Sequence, residues 1–383
     1  MPHLASTLLL DSVYLGLCEH NSVLAIIYVF CWSGNKCTNI HYKPTNIHYK
    51  PTNSDYLSIV GLILYRILKG LIRFIFQVRI MKLRFFFACA LLCSNTVISS
   101  SVVAEPVSQK QSLQELASSS AMLVDLKTNE VLYSSNPHQA VPIASVTKLM
   151  TAMVTLDAKL SLNEKISVKI TDSPVMRNVY SRVRLGSEVS RETMLLMTLM
   201  SSENRAATSL AHHYPGGFKA FVRAMNDKAI ALGMTQTHYV EPTGLSPENV
   251  SSANDLILLL KASQQYPLLG KLSSTNKKHV IFKRPRYALD FQNTNKLVFK
   301  DNWNIALTKT GYTSKAGHCL VMLTEMDKRK VAVVVLDSFG KYTHMADANR
   351  LKKWLETGRT TPIPASAKAY KKQRQMAANN SAS

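Results

Sequence analysis

The chain has 383 residues, and its 46 Lys+Arg against 24 Asp+Glu leave a net charge of +22, a surplus that favours anionic partners such as phospholipid surfaces, nucleic acid or an acidic polymer. Length alone allows two or three domains, but the first hundred residues do not read as folded protein. Five of the six cysteines (Cys18, Cys31, Cys37, Cys89 and Cys93) lie in that stretch, so the remainder keeps Cys319 alone and an internal disulfide is excluded there.

The apolar runs Val23–Trp32 and Leu57–Tyr65 fall short of the ~18–20 residues that cross a bilayer. Residues 39–45 and 46–52 repeat the heptad Asn-Ile-His-Tyr-Lys-Pro-Thr, too few copies for a solenoid. Met81-Lys-Leu-Arg84, the apolar stretch Phe85–Cys93 and the small residues Val102-Val-Ala104 have the three parts of a secretory signal peptide. Such signals begin a protein, so translation is expected to start at Met81, with residues 1–80 a misassigned upstream extension and cleavage near Ala104. Residues 1–104 carry nine Lys/Arg and three Asp/Glu, leaving 37 against 21 and a surplus of 16 on the exported part. Export disfavours nucleic acid. The dispersed basic residues read as a solvated surface, with at most weak attraction to an acidic wall or membrane.

Residues 105–118 read as a polar leader or short helix. Ala121–Asp125, the turn Lys127–Asn129 and Val131–Tyr133 read as a β-hairpin. Ser145 then opens a helix with Leu149, Met150, Met153 and Leu156 at helical spacing, entered through Pro142. Residues 189–264 read as mostly helical, with a buried run at Met194–Met200, an amphipathic segment at Phe218–Leu232, and a capping box at Ser252–Asp255 before Leu256–Leu260. Residues 275–300 suggest loops and short strands. Ile305–Thr308 is strand-like, Cys319–Thr324 and Val331–Leu336 make a hairpin around the charged turn Asp327–Lys330, and a helix is expected near Ala346–Leu355. Residues 361–383, rich in Ala, Lys, Asn and Ser, read as a basic disordered tail. Strands at both ends of a helical middle (about 150–300) predict one α+β domain over residues 105–360, an antiparallel sheet with helices on its faces.

Three short motifs carry chemistry. Lys309-Thr-Gly311 occurs once, at a strand end where glycine admits a substrate backbone. Ser-x-x-Lys occurs at Ser33, Ser145, Ser274 and Ser338, but only Ser145 opens a clear helix after a hairpin, with Lys148 on the same face. The helix N-terminus there favours an oxyanion. Ser202-Glu-Asn204 competes with five other Ser-x-Asn matches and is distinguished by lying at a break between helices. A serine beside a lysine, joined to a basic, hydroxyl-bearing strand edge, suits acyl transfer on a carboxylate-bearing substrate. His212-His213 lacks a second ligand pair at zinc spacing, and Cys319 beside His318 lies in an apolar strand, so both read as packing and neither metal nor cofactor is expected. Gly244–Glu248 lacks the second glycine of a Gly-x-Ser-x-Gly elbow, which leaves an α/β-hydrolase unsupported.

From about residue 119 to 358 the chain resembles the low-molecular-mass penicillin-binding proteins, serine D,D-peptidases. Pro142–Met153, Leu199–Ala207, Glu241-Pro-Thr-Gly-Leu245 and Leu307–Thr313 carry the likeness, and the intervening words agree with the endopeptidase subfamily that trims peptidoglycan cross-links. The resemblance implies the penicillin-binding/β-lactamase-like transpeptidase fold: a five-stranded antiparallel sheet flanked by helices, with a mostly helical subdomain. It implies Ser145 as nucleophile, Lys148 as general base with its pKa depressed by burial and a cationic Lys309, Ser202 as proton relay and Asn204 as orienting residue. It also implies that Lys309, Thr310, Gly311 and Thr313 bind the substrate carboxylate end, and that the Ser145 and Tyr312 N–H groups form an oxyanion hole. Peptidoglycan stem peptides and β-lactams become the expected partners, and the periplasm the expected location. The same residues serve D,D-carboxypeptidases, which remain the alternative. A class A β-lactamase also needs a Glu-x-x-Leu-Asn loop, absent from this sequence, and a non-catalytic penicillin-binding module would have lost one of the groups present here.

Overall fold

A computed structural model describes residues 114–382. The expectations for residues 1–80, for the signal at 81–104 and for cleavage near Ala104 lie outside the described residues. The chain begins with a hairpin, β1 (Ser120–Asp125) and β2 (Val131–Ser135), followed by β3 (Val141–Pro142). A single 3-10 turn, Ala144–Val146, leads into α1 (Thr147–Asp157). Next come β4 (Lys165–Ser167), β5 (Glu188–Ser190), α2 (Arg191–Met200), α3 (Asn204–His212) and α4 (Gly217–Ala231). After β6 (Val250–Ser251) lie α5 (Ala253–Ser263), α6 (Pro267–Ser273) and the hairpin β7 (Lys277–Phe282) with β8 (Tyr287–Gln292). The final strands are β9 (Ile305–Thr313), β10 (Gly317–Met326) and β11 (Arg329–Ser338), and two helices close the chain, α7 (Thr343–Thr357) and α8 (Ala365–Ala382).

The main sheet is five-stranded and antiparallel, in the order β2-β1-β11-β10-β9. β1 pairs with β11 from Ser120 opposite Leu336 to Asp125 opposite Val331, so the first and last strands are neighbours and the helical segment is an insertion between β2 and β9. Asp327 and Lys328, both at positive φ, form the tight β10–β11 turn, the left-handed pair that matches strand twist in two-residue hairpins. The α+β class and the five-stranded sheet agree with the expected fold.

Both sheet faces are buried, so its inner strands β1, β10 and β11 carry apolar runs whose alternate residues enter different cores. Val321 and Leu323 of β10 and Ala332, Val334 and Leu336 of β11 pack toward α1, α2 and α5. Leu320 and Met322 of β10 and Val331, Val333 and Val335 of β11 pack with Met345, Ala348, Leu351 and Trp354 of α7. α1 lies within the first core: every residue from Thr147 to Thr155 is buried. The helical spacing marked one apolar stripe on it, but a helix enclosed on all sides has no solvent face.

Two expectations need correction, and the short strands expected within residues 275–300 take a definite form. Ser145 sits in the 3-10 turn ahead of α1 and not in the α-helix itself. Residues 275–300 hold a hairpin of two six-residue strands, because the basic side chains occupy the exposed positions and Val280, Phe282 and Phe291 the buried ones. The tail forms a helix, since its alanine, lysine and glutamine are strong helix formers and the C-terminal end of β11 supplies anchors. Tyr370 Oη donates to Asp337 Oδ1 at 2.7 Å, Arg374 Nε donates to Asp337 Oδ2 at 2.9 Å, and Ala367 is buried.

Asp347 ties the segment before β1 to α7. Its fully buried carboxylate accepts from the backbone N–H groups of Ala117 (3.1 Å) and Ser118 (2.8 Å) and pairs with Arg350 at 2.9 Å. Asp347→Ala strands those donors and is expected to cost about 3 kcal/mol of stability, read as a lower denaturation midpoint with an unchanged m-value.

Candidate active site

The strained backbone of the Ala144–Val146 turn presents Ser145 toward solvent. Ala144 has φ +46°, a left-handed conformation that costs a non-glycine residue about 1–2 kcal/mol and that surrounding contacts must enforce. Two glycines make the room. A Cβ on Gly244 would lie 1.8 Å from the Ala144 carbonyl oxygen, and one on Gly311 would lie 2.9 Å from the Ser145 nitrogen. The 241–246 loop and β9 therefore press against the turn from both sides.

Lys148, one turn along in α1, is fully buried, with its Nζ at 2.8 Å from Ser145 Oγ, 2.8 Å from Asn204 Oδ1 and 2.6 Å from the Thr243 carbonyl oxygen. Two of these neighbours can only accept a hydrogen bond, whereas the Ser145 hydroxyl can donate. A neutral amine satisfies all three: it gives a proton to each carbonyl and turns its lone pair to the serine O–H. Burial lowers this lysine to about 8, with the Glu241 and Glu203 carboxylates pulling the other way.

Asn204 opens α3, where the Glu203 carboxylate caps the helix by accepting from the Arg205 N–H at 3.0 Å and holds Ser181 Oγ at 2.9 Å. Ser202 occupies the gap between α2 and α3 at φ +60°, a second strained non-glycine residue. Its Oγ accepts from Lys309 Nζ at 3.0 Å. Lys309 also donates to the Thr310 carbonyl at 2.7 Å. It is 1% exposed and held well below the ordinary lysine range by burial, then by repulsion from Lys148. Burial, one of the two causes expected for a depressed Lys148, is the largest cause for both amines.

Ser145, Ser202, Thr310 and Gly311 line one open cavity of about 510 Å³, with Lys148 and Lys309 buried at its base. Thr310 Oγ1 donates to Thr294 Oγ1 at 2.6 Å. Thr313 follows at the β9–β10 turn, where its hydroxyl accepts from the Ala316 N–H at 3.1 Å. The histidines set aside as packing are engaged: His212 contacts Asp172 at 3.1 Å and His213 Nε2 lies 2.9 Å from the Ser167 carbonyl oxygen. Cys319 is fully buried, and burial raises its thiol to about 12, which keeps it un-ionised.

Sequence reasoning missed two contributors. Thr294 lies in the polar run after β8 and carries no motif. Glu241 was visible only as part of a recognisable stretch; its buried carboxylate accepts from Thr243 N and Oγ1 and from Gly244 N, each at 2.6 Å, and from Asn249 Nδ2 at 3.2 Å. It thereby fixes the carbonyl that Lys148 meets.

Residues 105–340 match a family model described as D-alanyl-D-alanine carboxypeptidase, a peptidase family. A D-alanyl-D-alanine endopeptidase of Escherichia coli is 58% identical over 294 residues, covering 76% of this chain and 95% of that protein. A protein of the same description from Pseudomonas aeruginosa is 62% identical over 261 residues, covering 68% and 84%. The crystal structure of the Streptomyces K15 DD-transpeptidase superposes with a TM-score of 0.58 at 24% identity, covering 62% of this chain and 96% of that one, a likeness of fold.

Two outcomes are expected. Gly244→Ala, at φ +80° and against the Ala144 carbonyl, should destabilise the fold by about 2–4 kcal/mol and displace Ser145, read by thermal melting and by active-site labelling. The rate of Ser145 acylation should rise with pH to a plateau, with its midpoint near the lysine's value of about 8, because only the neutral amine of Lys148 can accept the serine proton. A flat profile between pH 6 and 10, measured with a labelled acylating agent, contradicts that assignment.

Proposed function

This chain belongs to the D-alanyl-D-alanine carboxypeptidase family of peptidases, and we propose that it is a serine D,D-endopeptidase that cuts D-Ala-containing cross-links of peptidoglycan through an acyl-enzyme on Ser145. The observation that carries the reading is the contact set of Lys148, a buried amine with two carbonyl acceptors and one hydroxyl.

In this reading Lys148 takes the hydroxyl proton as Ser145 Oγ bonds to the D-Ala carbonyl carbon. The oxyanion rests on the Ser145 and Tyr312 backbone N–H groups, a kind of contact worth roughly 3–4 kcal/mol per donor. Lys309 and Thr310 hold the carboxylate beyond the scissile bond. An arriving carboxylate favours the protonated form of Lys309, so substrate supplies the charge that burial disfavours in the free protein. Because Lys309 donates to Ser202 Oγ, the Ser202 hydroxyl proton is free for the leaving amine, which departs as the C–N bond breaks, and the proton that Lys148 took from Ser145 restores the Ser202 hydroxyl. Asn204 keeps the Lys148 amine aligned. Water then attacks the ester, Ser145 recovers its proton, and the donor peptide leaves with a free carboxyl group.

A β-lactam amide enters by the same first step and stays as an ester on Ser145. Export through the 81–104 segment delivers the enzyme to the periplasm, where the substrate is found; no described helix is long and apolar enough to cross a membrane. Stem peptides and β-lactams are its partners, and the surface charge gives at most peripheral attraction to membrane or wall.

Labelled penicillin should leave a long-lived adduct on the protein and none on Ser145→Ala; rapid turnover would instead indicate a β-lactamase. Purified dimeric muropeptides should become monomers that keep their terminal D-Ala. Release of terminal D-Ala with dimers left intact would assign the carboxypeptidase reaction.

A further inference from the structure

Beyond Thr310 the surface does not end. Tyr312, His318 and Lys341 line the cavity of Ser145 and also a second cavity of about 600 Å³, so one groove runs from the nucleophile past β9 toward α8. A bulge between His318 and Leu320 sets the start of β10 apart from the regular ladder, a device that re-aims a side chain. His318 stacks on Tyr312 with centroids 4.2 Å apart, and on His344 at 5.0 Å with the planes 7° apart. His344 is 3% exposed, and its Nδ1 has no hydrogen-bond partner among the described residues. Burial, and then the neighbouring His318, lowers His344 to about 3, so this ring is uncharged at neutral pH.

The outer rim consists of Phe339, Lys341 and Tyr342, with the Lys341 amine 5.5 Å from the Tyr342 ring centroid. Phe339 and Tyr342 are 44% and 57% exposed, and Tyr312 is 59% exposed. Neither cavity is lined by Asp or Glu, whereas Lys296 and Lys341 both contribute. The groove is therefore aromatic along its length and positive at its rim.

We propose that this groove is a subsite for the leaving half of a cross-link, a peptide strand carrying carboxylates whose amine is joined to the scissile D-Ala. The proposal rests on the endopeptidase reading above. With the carboxylate beyond the scissile bond held at Thr310, the rest of that strand continues over Tyr312 and His318. A single departing D-Ala ends at Thr310 and leaves the further 600 Å³ unused. The flat rings offer contact to the peptide's backbone and aliphatic carbons, and Lys341 attracts its carboxylates. The groove is thus where this chain distinguishes a cross-linked substrate from a terminal dipeptide.

Phe339→Glu, Phe339→Tyr and Phe339→Ala separate the subsite from the chemistry, because Phe339 lines the second cavity and not that of Ser145, whereas a labelled penicillin occupies the nucleophile's cavity and carries no leaving strand. Phe339→Glu is expected to lower kcat/KM on a purified cross-linked muropeptide dimer roughly tenfold, mainly through KM, and Phe339→Ala about threefold. Penicillin acylation should stay within about twofold of the parent rate, and Phe339→Tyr should keep dimer cleavage. Equal dimer cleavage by Phe339→Glu and the parent overturns the proposal, as does a parallel loss of penicillin acylation. If the unmodified protein releases terminal D-Ala and leaves dimers intact, the endopeptidase reading itself falls, and that result appears before any variant is made.

Discussion

The molecule is organised around an amine withdrawn from water. Lys148 lies in a helix enclosed on every side, and a lysine there is tolerable only if each of its protons finds an acceptor. The two carbonyl acceptors come from separate parts of the chain, the Asn204 side chain at the start of α3 and the Thr243 backbone in the loop before β6. Each acceptor is itself held. Glu203 caps α3, and Glu241 gathers the backbone of its own loop. The third neighbour is the serine hydroxyl, so satisfying the amine and activating the nucleophile are one geometric requirement. Burial lowers this lysine to about 8 from an ordinary 10.5, so the folded chain binds fewer protons than the unfolded one between those values, and stability rises with pH across that window.

Lys309 poses the same problem at the other wall of the cavity, with a different solution. Its acceptors are the Ser202 hydroxyl and the Thr310 carbonyl, and repulsion from Lys148 adds to the cost of its burial. Two buried amines in one site are a store of unfavourable electrostatics that an anionic ligand relieves. Ala144 and Ser202, two of the ten described non-glycine residues at positive φ, flank the same cavity. Strain and desolvation meet where the chemistry is proposed, and the apolar cores on both sides of the sheet keep the arrangement in place.

The sheet and most helices were legible because periodicity reports burial. The β10–β11 hairpin, the Met194–Met200 run and the capping serine at 252 could be read from spacing alone. Ser145, Lys148, Ser202, Asn204 and Lys309 were legible as an ordered set, and Lys309 stood out because its tripeptide is unique. The rest depended on tertiary context. Nothing local distinguishes Thr294 from other threonines in polar runs, and the role of Glu241 exists only because its loop folds onto Ala144. The turn contact of Thr313, whose hydroxyl accepts from the Ala316 N–H, could not be read from its place beside a motif either. The tail helix escaped notice because composition without an apolar stripe resembles disorder, and its anchors on Asp337 are contributed by another element.

The seam between β1 and β11 couples the beginning and end of the described chain, with more than two hundred residues between paired positions. Such a connection must be closed across a long loop, a topology associated with slow folding. A ribosome that has not yet delivered residues 329–338 has made the serine and its lysine, but the sheet they lean on lacks its central strand. Reactivity in this protein therefore waits on the end of synthesis: until the last strand slots in, the growing polypeptide carries the parts of a hydrolase without being one.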